Sequence, residues 1–225
     1  MLNPADAGFF FLESTNLYLT ADKVVNGLVC AQRVLADPRV WAENASFLPI
    51  SLDATKEIIE EQTEYSVLIR SVSFQATHIF ARVEKYKDHT ATIDVRHDLS
   101  EQWKRFVTAK ELLHLIIDKD EDMSPYGDET LDKLLTDGHI GIVSQNGDKP
   151  PAQSELIAEV AALELLYPIQ NREDDLKAVS SGKITHTKLA IRYGIPPNFI
   201  DTAFSNGYLS VLKNAISQIQ NEKNA

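Results

Sequence analysis

The hydrophobic period of this chain changes twice, and that change limits what the chain can fold into. Residues 20–36 place Val24, Val25, Leu28, Val29, Val34 and Leu35 at helical spacing, with Thr20 as a cap and Asp37-Pro38 as a stop. A second helical pattern covers Asp53 to Thr63, with Ile58, Ile59 and Gln62 on one side. From Ser66 the period shortens. β-Branched and aromatic residues fall in three runs, roughly 66–74, 77–86 and 90–95, the last two joined by Lys87-Asp88-His89 as a hairpin. From Ser100 the helical spacing returns. Ser100 caps a helix with Phe106, Leu112, Leu113, Ile116 and Ile117 inward, and a strongly helical segment runs from Ser154 to Tyr167, closed by Pro168. Three more helices are expected at Thr185–Tyr193, Pro196–Phe204 and Tyr208–Ile219. Between the two central helices, 119–154 reads as a long surface connection with one helix over Glu129–Thr136. Strands grouped together rather than alternating with helices predict an α+β fold, with a small, mainly antiparallel meander and a helical C-terminal part.

At 225 residues one sizeable domain is the expectation, and 44% hydrophobic with 24% charged residues is a globular composition. The net charge of -11 argues against a surface dedicated to nucleic acid, because phosphate contacts need clustered Lys and Arg. Cys30 is the single cysteine, so an internal disulfide and a Cys-rich zinc site are both excluded, and its apolar helical surroundings place it in the core. The short apolar run Phe9-Phe10-Phe11-Leu12 follows Asp6 and no basic residue, unlike a signal peptide. No segment approaches the roughly 20 apolar residues that cross a bilayer. A cytoplasmic protein of a prokaryote or phage, with no membrane partner, is therefore expected.

Chemistry concentrates on two helices. The first reads Arg105-Phe106-Val107-Thr108-Ala109-Lys110-Glu111-Leu112-Leu113-His114-Leu115, and it sets Lys110 and His114 one turn apart on the same face. Zinc peptidases use that spacing in H-E-x-x-H, where two imidazoles grip Zn²⁺ and the intervening Glu takes a proton from the metal-bound water. Here the pattern is K-E-L-L-H. The second helix begins Glu155-Leu156-Ile157-Ala158 and ends Leu165-Leu166-Tyr167-Pro168. A carboxylate at its start is placed to reach a metal held by the first helix, and Ala158, Ala161 and Ala162 let the helices approach closely.

In this combination, Arg105-Phe106, Ala109, Glu111, His114, Glu155, Ala158 and Leu165-Leu166-Tyr167-Pro168, the chain resembles the ImmA/IrrE-type metallopeptidases, over about 48–204. The resemblance implies a zincin-like fold, a small sheet over an active-site helix, and in active members zinc-dependent cleavage of a repressor-type transcription regulator. It assigns Glu111 as the general base, His114 as the second zinc ligand and Glu155 as the third. Lys110 stands at the first ligand position and breaks the pattern, and Leu113 replaces the motif's usual glycine. A protonated amine is no zinc ligand, and Glu111 and Glu155 favour the protonated form. Lys110 is therefore read as a substitute for the metal's charge, reaching between Glu155 and Glu111.

His97 and His139 are weighed as replacement ligands and read as surface residues, His78, His89 and His186 still more so. The resemblance divides the chain into an N-terminal helical extension (1–47), the zincin-like domain (48–205) and a C-terminal helix (206–225). Residues 185–205 look like a helix-turn-helix whose second helix has few basic residues, so it is read as part of the fold rather than as a DNA reader. The functional expectation is a pseudo-peptidase that holds a protein partner, such as a repressor-type regulator, in the former substrate cleft. The alternative is an active zinc-dependent endopeptidase with a rearranged metal site.

Overall fold

The computed structural model describes residues 21–41, 49–76, 79–118 and 150–223. The expected helix at Glu129–Thr136, most of the 119–154 connection, the run Phe9–Leu12, His78 and His139 lie outside them. The fold is mixed, mostly helical, with one small sheet. Helix α1 spans Ala21–Leu35 and leads through a 3-10 turn at Pro38–Val40, capped by the Asp37 side chain, to α2 at Leu52–Thr63. The α2 cap is Ser51, which accepts the Ala54 N–H at 3.2 Å, so the helix starts slightly before the expected Asp53. Strands β1 (Ser66–Val72), β2 (Ala81–Lys85) and β3 (Thr90–Arg96) follow, then α3 (Glu101–Ile117) and α4 (Pro150–Leu166). The last four helices are α5 (Ile169–Ser180), α6 (His186–Tyr193), α7 (Pro197–Phe204) and α8 (Asn206–Lys223).

The sheet corrects the expected meander. Its order is β1-β3-β2; β2 and β3 form the antiparallel hairpin, but β1 runs parallel to β3. The reason lies in burial. Ala91, Ile93 and Val95 of β3 are all buried, so β3 takes the centre, and a strand with one exposed face such as β1 must pair on its free side. Asp94 of β3 locks both neighbours on the opposite face. It accepts from Arg70 Nε at 2.7 Å on one side and lies 3.3 Å from Arg82 Nη2 on the other.

Helix α3 packs on β2 and β3, α4 packs on α3, and α1 packs on α4 and also touches α3. Trp103 and Phe106 of α3 meet Phe80 and Phe199, and the Phe106 and Phe199 rings stack at 3.7 Å. Val24 to Val34 of α1 and Leu212 to Ile219 of α8 share this same core, so the described part of the expected N-terminal extension packs as an integral layer. Helix α4 begins at Pro150, four residues before the expected start; prolines fit a first helical turn because its N–H groups have no partner within the helix.

Helix α5 has no counterpart in the sequence reading. Its inward face carries Arg172 and Asp175, 2% and 7% exposed. Arg172 donates to Glu164 at 2.9 Å and to the Tyr167 carbonyl, while Asp175 accepts from Tyr193 at 2.7 Å, from Tyr167 and from Arg192. This buried network, rather than an apolar stripe, ties α5 to α4 and α6.

Close packing of α1 on α4 needs Gly27. A Cβ there would stand 2.6 Å from Ile157 Cγ2 and 3.2 Å from the Ile157 carbonyl. Gly27→Ala gains about 1 kcal/mol of helix propensity but incurs an overpacking cost of about 1–3 kcal/mol. Urea melts should therefore show a net loss; a gain would contradict the close approach of the two helices.

Candidate functional site

The contact of α3 with α4 brings Lys110, Glu111, His114 and Glu155 into one cluster. Helical spacing puts Lys110 and His114 on one face of α3, and α4 packs against α3 with Ala158 and Ala162 fully buried. Lys110 Nζ donates to Glu155 Oε2 at 2.6 Å and lies 3.1 Å from Glu111 Oε1. The ammonium bridges both carboxylates. His114 Nε2 lies 3.4 Å from Glu155 Oε1, near enough for an ion pair but without hydrogen-bond alignment, and this buried nitrogen has no hydrogen-bond partner.

Two further residues join that the motif reading did not include. Asp118, one turn beyond His114, accepts from its Nδ1 at 2.7 Å, and Ser154, next to Glu155, lies 3.3 Å from the same nitrogen and donates to the other Asp118 oxygen. The i,i+4 spacing of His114 and Asp118 was the available signal; Ser154 had none beyond its place before Glu155. Ser154, His114 and Asp118 are not a nucleophile relay. Serine and aspartate both meet Nδ1, whereas a relay needs them on opposite nitrogens.

The electrostatics follow from this geometry. Burial works against the Lys110 ammonium, but Glu111 and Glu155 outweigh it and hold its pKa above the ordinary lysine range. Burial likewise opposes the charged His114, yet Glu155, the Asp118 hydrogen bond and Glu111 raise its pKa to about 10. For Glu155 burial pushes upward, and Lys110 and His114 overcome it to leave the carboxylate well below its usual range. One turn further along α4, burial and the neighbouring Glu155 raise Glu159 to about 7 against the pull of Lys110.

Zinc does not fit these residues as they stand. A metal-bound imidazole must be neutral, whereas Glu155, the Asp118 hydrogen bond and Glu111 favour the protonated form of His114. Glu155 spends one oxygen on Lys110, and the ammonium's positive charge stands beside both Glu155 and Glu111, where it would repel a metal cation. Among the described residues, no group of three or more His, Cys, Asp or Glu side chains is arranged to hold a metal. His97 is exposed and turned to Ser73 and the Val72 carbonyl, His89 sits in the β2–β3 turn at φ 60°, and His186 pairs with Asp201. None of the three joins the cluster.

The helix-turn-helix-like segment is present as α6 and α7 around Gly194, whose φ of 62° suits glycine. Phe199, Ile200 and Ala203 of α7 are buried, and its one charged residue is Asp201, so this helix serves the core. Among the described residues, no helix is long and apolar enough to cross a membrane.

No protein-family model and no curated protein matches the chain. Among solved structures it is similar to a Mycobacterium tuberculosis transcriptional regulator, at 14% identity and a TM-score of 0.44, covering 81% of this chain and 51% of that one. The chain thus spans about half the length of that protein.

Lys110→Ala should remove the ammonium that bridges Glu111 and Glu155. Breaking a buried pair costs about 3–5 kcal/mol and an exposed one about 1 or less. Lys110 is 17% and Glu155 39% exposed at the side chain, so an intermediate loss of about 2–3 kcal/mol is expected, by the same bracket. Lys104→Ala, which removes an exposed pair with Glu101, should change little. Equal effects in denaturant melts would refute the structural role of Lys110.

Stability should also depend on pH. His114 and Glu159 have folded pKa values above their unfolded ones, so each contributes stability that is full below its unfolded pKa and lost as pH rises through its folded pKa. For Glu159 the loss runs from about 4.5 to 7, and for His114 from about 6.5 to 10. Melting temperatures should fall across that range, and less steeply in His114→Gln above pH 7. A flat profile in the parent protein would contradict the assigned charges.

Proposed function

We propose that this chain is a binding module on a zincin-like, peptidase-derived scaffold, which holds a protein partner in the former substrate cleft without cutting it. One observation carries the reading: the Lys110 ammonium lies between the Glu111 and Glu155 carboxylates, where the resembled peptidases place the first zinc-binding imidazole. With the Lys110 ammonium beside it in place of a metal-bound water, Glu111 keeps the place of a general base without its reaction. The partner class that fits the resemblance is a repressor-type transcription regulator, and the proposed setting is the cytoplasm of a prokaryote or phage.

A second reading, a zinc-dependent endopeptidase with a rearranged site, is favoured by the buried His114 Nε2, which has no hydrogen-bond partner and faces Glu155. In that case Lys110 would have to swing away and His114 lose its proton.

Metal content separates the two. Elemental analysis of the purified protein after zinc exposure should find well under one zinc per chain, and Lys110→His should take up close to one. Tight stoichiometric zinc in the parent protein would overturn the pseudo-peptidase reading and support the endopeptidase.

A further inference from the structure

The chain contains three Asn-Gly pairs, and the fold treats the two among the described residues in opposite ways. Asparagine before glycine is open to attack on its own side-chain amide, because a residue without a Cβ leaves its backbone nitrogen unhindered. Asn26-Gly27 lies in the middle of α1. There the Gly27 N–H belongs to the helical ladder, and the place of a Gly27 Cβ is already crowded by Ile157 Cγ2 at 2.6 Å. Asn206-Gly207 opens α8. Both residues are exposed, and a Cβ built on Gly207 would meet nothing within 4 Å among the described residues. Ser205 stands before the helix in extended backbone, at φ −65° and ψ 140°. Its Oγ accepts the Tyr208 N–H at 3.3 Å and its carbonyl accepts the Leu209 N–H at 3.0 Å. The Gly207 N–H just ahead of them has no acceptor among the described residues, as befits an amide of a first helical turn. Asn146-Gly147 lies outside the described residues.

Backbone freedom decides which pair can react. The side-chain carbonyl carbon must come onto the following backbone nitrogen, which requires turning the asparagine ψ away from its helical value. At Asn206 that releases only the first carbonyl of a helix end, where fraying is easy. At Asn26 it breaks the ladder inside a packed helix.

We propose that Asn206 is a site of spontaneous deamidation in the folded protein, with water as the co-reactant, and that the fold protects Asn26. The Gly207 nitrogen gives up its proton to hydroxide and attacks Asn206 Cγ. The new C–N bond closes a five-membered succinimide as the Cγ–Nδ2 bond breaks and ammonia leaves. Water then opens the ring. Cleavage between Cγ and the ring nitrogen gives aspartate, and cleavage between the main-chain carbonyl carbon and that nitrogen gives isoaspartate, whose backbone runs through Cγ. Either product adds a negative charge at the start of α8, where the helix dipole favours it. Isoaspartate also lengthens the backbone between the Ser205 cap and Tyr208, whose ring lies 5.4 Å from the Arg172 guanidinium.

Peptide mapping by tandem mass spectrometry, on the full-length protein incubated at mildly alkaline pH, tests this. The peptide that carries Asn206 should gain the mass of an NH-to-O exchange and separate into aspartyl and isoaspartyl forms. In the folded protein Asn26 should convert at least about tenfold more slowly than Asn206, because local opening inside a packed helix costs free energy that a frayed first turn does not. In concentrated urea the two rates should converge. Gly207→Ala, for which the position has room, should lose most of the conversion at Asn206. An Asn206 that stays intact in the folded protein while converting in urea overturns the proposal. So do equal rates at Asn26 and Asn206 in the folded protein, or undiminished conversion in Gly207→Ala.

Discussion

One ammonium group holds together a contact crowded with buried charges, where α3 meets α4. The side chains of Glu111 and His114 on α3 and of Asp118 just past its end all lie below a tenth exposed, and Glu155 meets them from α4. Three carboxylates at such close range would repel one another in a medium that screens poorly. Lys110 and the protonated His114 supply the compensating charge. The arrangement exists because α4 presents alanines to α3 and α1 presents a glycine to α4, so three helices converge at distances that larger side chains would forbid. Packing brings the charges together, and the lysine makes that packing tolerable.

A metal ion and an ammonium ion solve the same electrostatic problem in different ways. A divalent cation needs neutral or anionic donors with free lone pairs, and it polarises water. An ammonium needs only acceptors, and it activates nothing. On the proposed reading, exchanging one for the other keeps the fold and the cleft while removing the chemistry. The second buried network, Glu164 with Arg172 and Asp175 with two tyrosines, follows the same economy at the other end of α4: charges buried in matched sets, each with directed hydrogen bonds.

The sequence made some of this legible and hid the rest for physical reasons. Helices with apolar spacing and clear caps, such as α3 behind Ser100 and α6 behind Thr185, were readable because local signals determine them. So was the meeting of Lys110, Glu111, His114 and Glu155, which follows from helix periodicity plus two complementary surfaces. The parallel pairing of β1 with β3 was not, because strand order depends on which strand is buried on both faces, a property of the assembled core. Helix α5 escaped because its inward residues are an arginine and an aspartate, which acquire a buried role only through partners on α4 and α6. Ser154 and Asp118 belong to the cluster through tertiary contact, with only the His114–Asp118 spacing to announce it.

The most direct measurement is a crystal structure of the unmodified protein grown with excess zinc, with diffraction collected on both sides of the zinc absorption edge. The account predicts Lys110 Nζ within hydrogen-bond reach of both Glu111 and Glu155 and no anomalous peak beside His114 Nε2. A strong anomalous peak coordinated by His114 and Glu155, with Lys110 turned out of the cluster, would contradict it.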